Sequence, residues 1–198
     1  MADPVEDIIG DYRAFAAQQR DRLASRGIDI SSYELSHLCY RVAEWDEYVR
    51  VRGLLERHAI ANRENFWNGR PISLILFDGL EVLDGKALPM IELIPPVHQR
   101  VYKMGCEHIG VVIGEDGFEE FKRAHRPVLT GQQFQGPTPG INEPYYILFE
   151  DFTHMKFHQR SLRSTAEMLG GRFDGFHHVE GYVPQRLSTS TGPNPLPR

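Results

Sequence analysis

The sequence predicts an α+β fold built from two βαβββ modules, their sheets curling together around a metal-binding cleft, with an extra helix ahead of them. Three observations carry that prediction. Cys106-Glu107-His108-Ile109-Gly110-Val111-Val112-Ile113 is a short apolar, β-branched run bounded by Gly114 and Asp116, which is the pattern of a buried strand, and it holds one imidazole. Ser36-His37-Leu38-Cys39-Tyr40-Arg41-Val42 has the same character, with its histidine 71 residues earlier, at 37 against 108. Each of these strands is followed by a later one with a further donor. Glu92 lies in Met90–Ile94 and His158 in His154–His158, 66 residues apart. Two similar modules that each place a histidine and one more donor suggest one shared metal site.

The remaining elements follow in order. Residues 4–26 read as a helix: Asp3-Pro4-Val5-Glu6 has a capping acid, a proline and a following acid, and Val5, Ile8, Ile9, Tyr12, Ala16 and Leu23 recur at helical spacing. This arm is expected to pack against the domain. Module one spans 33–96. It comprises a strand over Tyr33–Val42, a helix over Glu44–Ala61, a turn at Asn68-Gly69, strands over Ile72–Phe77 and Glu81–Leu83 separated by a turn at Asp78-Gly79, and the strand with Glu92 before Pro95-Pro96. Module two spans 106–169. Asp116 opens its helix, Gln132–Pro144 reads as loop, Tyr145–Glu150 and Thr153–Gln159 are strands, and Ser161–Leu169 is helical. A single domain is expected over 1–186. The Ser-, Thr-, Pro- and Gly-rich stretch over 187–198 predicts a disordered tail.

Composition limits the function. Of 198 residues, 41% are hydrophobic and 25% charged, as in an ordinary globular protein. A net charge of −5 gives no reason to expect a nucleic-acid or membrane partner. No run approaches the ~20 apolar residues of a membrane helix. The opening Met1-Ala2-Asp3-Pro4 has no secretion-signal pattern, and the two cysteines fit reduced thiols, so a cytoplasmic monomer or homodimer acting on a small molecule is expected.

Neutral imidazole and carboxylate suit Zn, Ni, Mn or Fe when they converge at ~2.0–2.2 Å. The candidate ligands are His37, Glu92, His108 and His158. Spacing alone does not single them out, because no HExxH or CxxC is present. Arg41 shares a strand face with His37; it either clamps a substrate carboxylate or pairs with one of the chain's own acids. Lys156 and His154 share a face with His158, so Lys156 either holds an anionic substrate or faces solvent at a sheet rim. Cys39 and Cys106 each stand two residues from a proposed ligand and read as small buried fillers on its face. His177-His178 with Glu180 reads as an exposed polar turn, since adjacent strand residues point opposite ways. Arg70, next to the Asn68-Gly69 turn, belongs to a hairpin or reaches over the site.

These stretches also carry a resemblance. Ser36-His37-Leu38 with Arg41, Glu64-Asn65 with Asn68-Gly69-Arg70-Pro71-Ile72, Ile91-Glu92-Leu93 with Pro95, Glu107-His108-Ile109 and Lys156-Phe157-His158 occur in one order over about residues 33–165. In this the chain resembles the bacterial YecM family of the vicinal oxygen chelate superfamily, which holds glyoxalase I, extradiol dioxygenases, epimerases and antibiotic-resistance proteins. The resemblance implies metal ligands on the first and last strand of each module, at His37, Glu92, His108 and His158. It also implies that Glu92 can leave the metal and act as a base. Superfamily enzymes usually place glutamate where this chain has His158. The implied function is a divalent-metal-dependent isomerase or lyase acting through an enediolate. The alternatives are a non-haem iron oxygenase and a non-catalytic binder of the bleomycin-resistance type.

Overall fold

A computed structural model describes residues 3–67, 69–83, 85–96, 103–133 and 140–184. Module one contains β1 (Glu34–Arg41), α3 (Trp45–Glu56), β2 (Ala61–Trp67), β3 (Arg70–Leu83) and β4 (Lys86–Ile94). Module two contains β5 (Gly105–Val112), α4 (Glu115–His125), β6 (Gly131–Gln132), β7 (Tyr145–Leu148) and β8 (His154–His158). Both are βαβββ, as predicted. Ahead of them stand α1 (Glu6–Ile9) and α2 (Tyr12–Ala24); behind them stand α5 (Leu162–Met168) and β9 (Phe176–His177). The nine strands of the described residues form one sheet, ordered β6-β7-β8-β5-β1-β4-β3-β2-β9. The two modules meet through the antiparallel pair β1–β5, and within each the first strand lies parallel to the last, β1 with β4 and β5 with β8.

Alternation sorts the side chains into two faces. One carries the main core: Leu38, Ile75, Phe77, Ile91, Leu93, Ile109, Val111, Met155 and Phe157 pack beneath Tyr12 and Leu23 of α2, Tyr48 and Leu55 of α3, and Phe118 and Phe121 of α4. The other face carries the candidate ligands. Over module one that second face is covered by the C-terminal segment: Leu162 and Ala166 of α5, with Phe173 beyond it, pack on Ala61, Leu74, Leu76 and Met90. The segment then runs to the far edge, where β9 pairs with β2, Asn62 opposite Phe176. Among the described residues, no helix is long and apolar enough to cross a membrane.

Several expectations need correction. The arm over 4–26 is two helices, because Gly10 adopts φ 80° and ψ −176° and Asp11 restarts the helix by accepting from the Ala14 amide at 2.7 Å. The helix after β1 ends at Glu56, not Ala61, and the residues beyond it become β2, whose half-polar sequence hides its strand character. Asp78-Gly79 does not end a strand: β3 runs through it with a register shift between Leu76 and Leu80, and Gly79 takes φ 88°. Nothing in the sequence suggested β9. Asn68, Asp84 and the tail over 187–198 lie outside the described residues.

Two further irregularities position the site. In the β1–β5 pair, Leu35 faces Val111 while His37 faces Gly110, so Ser36 is an extra residue on β1. Cys39 faces His108 while Tyr40 faces Cys106, so Glu107 is an extra residue on β5. A bulge puts two consecutive side chains on one face. Ser36 therefore joins His37, and Glu107 joins His108. Cys106 is turned to the other face, against the expectation that it shares a face with His108; there its Sγ lies 3.9 Å from the Ile9 carbonyl.

Candidate metal centre

Three donor atoms converge where the modules meet. His37 Nε2 and His108 Nε2 are 3.2 Å apart. Glu92 Oε2 stands 3.4 Å from His108 Nε2 and 3.8 Å from His37 Nε2. Both imidazoles are sealed at 1% and 0% exposure. The Glu92 side chain keeps 16%, so the cluster opens to solvent on its carboxylate side.

The bulge residues take up the far edges of the two rings. Glu107 Oε1 lies 3.2 Å from His108 Nδ1 and accepts its proton, because an ionised carboxylate has nothing to donate. In a neutral ring with that proton, Nε2 turns a lone pair to the cluster. Ser36 Oγ lies 2.9 Å from His37 Nδ1 and accepts the Leu162 amide at 2.8 Å, which ties α5 to the ring. Gly110 makes room for His37. A Cβ there would lie 2.5 Å from His37 Cε1, 2.7 Å from its Nδ1 and 3.2 Å from His158 Nε2.

The electrostatics follow from burial. Burial drives His37 down to about 3, against the pull of Glu92. It also drives His158 well below the usual histidine range and His154 down to about 2. Burial alone would raise Glu92, but the close approach of His108 and His37 outweighs it and holds the carboxyl well below its usual range. Glu107 behaves the same way: hydrogen bonds from His108 and Arg41 overcome burial and keep it ionised. His37, His154 and His158 are therefore neutral and the carboxylates charged, which is the protonation state a metal requires.

This donor set fits a divalent ion. Ligands at ~2.0–2.2 Å in tetrahedral or octahedral geometry stand about 3.0–3.6 Å from one another, close to the separations found here. Two imidazole nitrogens and a carboxylate oxygen turned on each other repel unless a cation or proton lies among them. Cys39, Glu107 and His108 form a second compact group. It is a poor metal site, because Arg41 neutralises Glu107 and burial, reinforced by Glu107 and Glu92, raises the Cys39 thiol well above its usual value.

The other predicted residues fall as follows. His158 is 4% exposed and packs its ring 5.4 Å from that of His37. Among the described residues it does not join the three donors, and both its ring nitrogens lack a hydrogen-bond partner. Arg41 does not point to a substrate: it is buried and clamps Glu107 through Nε and Nη2. Lys156 is half-buried on the site face, opposite Gly110 on one side and Tyr146 on the other. Arg70 is buried beside the Trp67 carbonyl. His177 pairs with Asp174 and His178 with Glu56, each at 2.7 Å, so the two imidazoles serve different partners. Sequence reasoning missed Ser36, Glu107 and Gly110 as parts of the site. The available signal was a polar residue directly before each histidine at matching places in the two modules.

Comparison with known proteins places the chain. No curated protein matches it. Among solved structures, the structural-genomics protein EC4020 is 24% identical, with 85% of this chain and 97% of that one covered and a TM-score of 0.60. Methylmalonyl-CoA epimerase from Mycobacterium tuberculosis is 16% identical over 72% of this chain and 99% of its own, with a TM-score of 0.43. The fosfomycin resistance protein FosX from Listeria monocytogenes, complexed with Mn(II) and sulfate, is 16% identical over 68% and 96%, with a TM-score of 0.27. The likeness to EC4020 is one of fold, and the other two are weaker. The model of the YecM protein family matches residues 4–168, which take in both modules and the whole donor cluster, and the chain belongs to that family.

Proposed function

We propose that the protein is a divalent-metal-dependent enzyme acting on a small substrate that chelates through adjacent oxygens, with isomerase or lyase chemistry through an enediolate. The observation that carries this reading is the convergence of His37 Nε2, His108 Nε2 and Glu92 Oε2 within 3.8 Å of one another. His37, His108 and Glu92 would hold the ion, with His158 able to join only by moving its ring. The ion would supply a Lewis acid that stabilises negative charge on substrate oxygen. The chain does the rest. Glu107 and Ser36 fix the two rings, α5 closes one side of the site, and Glu92 is the donor on the open side. As an ionised carboxylate beside the entry, Glu92 is placed to take a proton from a substrate carbon.

A second reading has its own support. Two histidines and one carboxylate are also the donor set of non-haem Fe(II) oxygenases. Elemental analysis of the purified protein separates the readings: iron with oxygen uptake favours the oxygenase, and nickel, zinc or manganese favours the isomerase or lyase. A protein without bound metal or affinity for one would be a binder. Glu92→Gln tests the site itself. The amide is a poorer donor, so metal affinity by calorimetry should fall about tenfold or more. Unchanged affinity removes Glu92 from the ligand set.

A further inference from the structure

Beside the cluster stands a positive charge, on Lys156, for which the described residues supply no partner. His37, Gly110, Lys156 and Tyr146 lie in one row across β1, β5, β8 and β7. The second position is glycine, so no side chain rises from the strand that lies between His37 and Lys156. Lys156 makes no hydrogen bond or ion pair with any other described residue. The nearby carboxylates are engaged elsewhere, Glu107 with Arg41 and Glu92 with the two histidines.

A second polar group points to the same spot. His158 follows Lys156 by two residues on β8 and shares its face. It is 4% exposed, neither ring nitrogen has a hydrogen-bond partner, and its Nε2 hangs over Gly110. A neutral imidazole always has one N–H to donate. Lys156, unpaired among the described residues, and His158, with an unused N–H, therefore both stand next to the glycine beside the donor cluster. With a divalent ion in place, the only uncompensated negative charge among these groups is Glu92, so the site carries excess positive charge.

We infer that the ligand of this site is an anionic chelator, a small 2-hydroxy or 2-oxo carboxylate rather than a neutral hydroxyketone, with its carboxylate turned toward Lys156 and His158. This rests on the metal reading above and names the substrate class for it. Charge-assisted hydrogen bonds are about twice as strong as neutral ones, so the lysine should decide between a charged chelator and its neutral isostere.

The test uses Mn2+ and oxalate, a planar anion with vicinal oxygens, against oxamide, which has the same shape without the charge. Metal is titrated first, by calorimetry, into the full chain and into Lys156→Met and Lys156→Arg; oxalate or oxamide is then titrated into each loaded protein. Lys156→Met should bind Mn2+ as tightly as the unaltered chain or more tightly, because a like charge has been removed. Its affinity for oxalate should drop about tenfold or more, Lys156→Arg should retain most of it, and oxamide should bind weakly to all three. Equal oxalate affinity in Lys156→Met and the unaltered chain, or oxamide binding as well as oxalate, overturns the inference and leaves the metal site standing. Failure of the unaltered chain to take up Mn2+, Fe2+, Ni2+ or Zn2+ overturns the metal reading, and a chelating ligand with it.

Discussion

Replacing Gly110 with alanine puts a methyl group where the His37 ring now lies. The new Cβ would be 2.5 Å from His37 Cε1 and 2.7 Å from Nδ1. Unstrained contacts need about 3.5–4.0 Å, so the ring must retreat by about 1 Å. His158 stands on the same side, 3.2 Å from that Cβ, and blocks part of the retreat. Moving the ring breaks its 2.9 Å contact with Ser36 Oγ, worth about 1 kcal/mol. Overpacking adds about 1–3 kcal/mol, for a total loss of about 2–4 kcal/mol. The same shift carries Nε2 out of register with Glu92 and His108, and metal affinity should fall about tenfold to a hundredfold. Urea denaturation of the metal-free protein and calorimetric metal titration read the two effects. Gly117→Ala is the control. It lies within α4, its Cβ would meet only Ile113 Cγ2 at 3.8 Å, and it should stabilise by about 0.5–1 kcal/mol. A Gly110→Ala protein within about 0.5 kcal/mol of the original that binds metal normally would refute the placement of His37 over the glycine.

Glu107→Gln leaves Arg41 buried against a neutral amide, which should cost about 3 kcal/mol by urea denaturation. His108 also loses its charged partner, so calorimetry should show metal affinity lowered about tenfold to a hundredfold. At the N-terminal arm, Arg22 and Thr153 hold Asp151 at about 2, down from 3.8, although its burial alone acts the other way. A depressed carboxylate contributes stability that is complete above its unfolded value and lost as pH falls through the folded one. The melting temperature should therefore drop between pH about 4 and about 2, and Asp151→Asn should flatten that drop while melting lower at neutral pH.

The strands that bear the ligands were legible because each is a short apolar run with a single polar intruder, and a buried polar group among apolar neighbours needs a reason. His37, Glu92 and His108 stood out on that ground. The structure brings them together, while His158, which stood out equally, packs behind His37. Bulges escape such reading. Strict alternation assigns Glu107 to the face opposite His108, and only the register of a partner strand shows an extra residue. Arg41 takes the second of the two roles open to it, pairing with an acid of the chain, and alternation gave no sign that this acid is Glu107. β2 was lost because Asn62, Arg63, Glu64 and Asn65 look like solvent-facing residues. In fact Asn62 and Glu64 are buried in a network with Tyr48 and Ser73. β9 is two residues long, and its pairing depends on a partner more than a hundred positions earlier, which no local pattern can show.

The course of the C-terminal segment has a consequence for how the chain is made. Module one is complete in sequence at Ile94, yet the apolar surface of Ala61, Leu74, Leu76 and Met90 is covered only by residues from Leu162 onward. During synthesis that surface must wait for roughly seventy further residues, several seconds at ordinary elongation rates. A half-made chain therefore presents an oily wall, and this is the interval in which a chaperone would have something to hold.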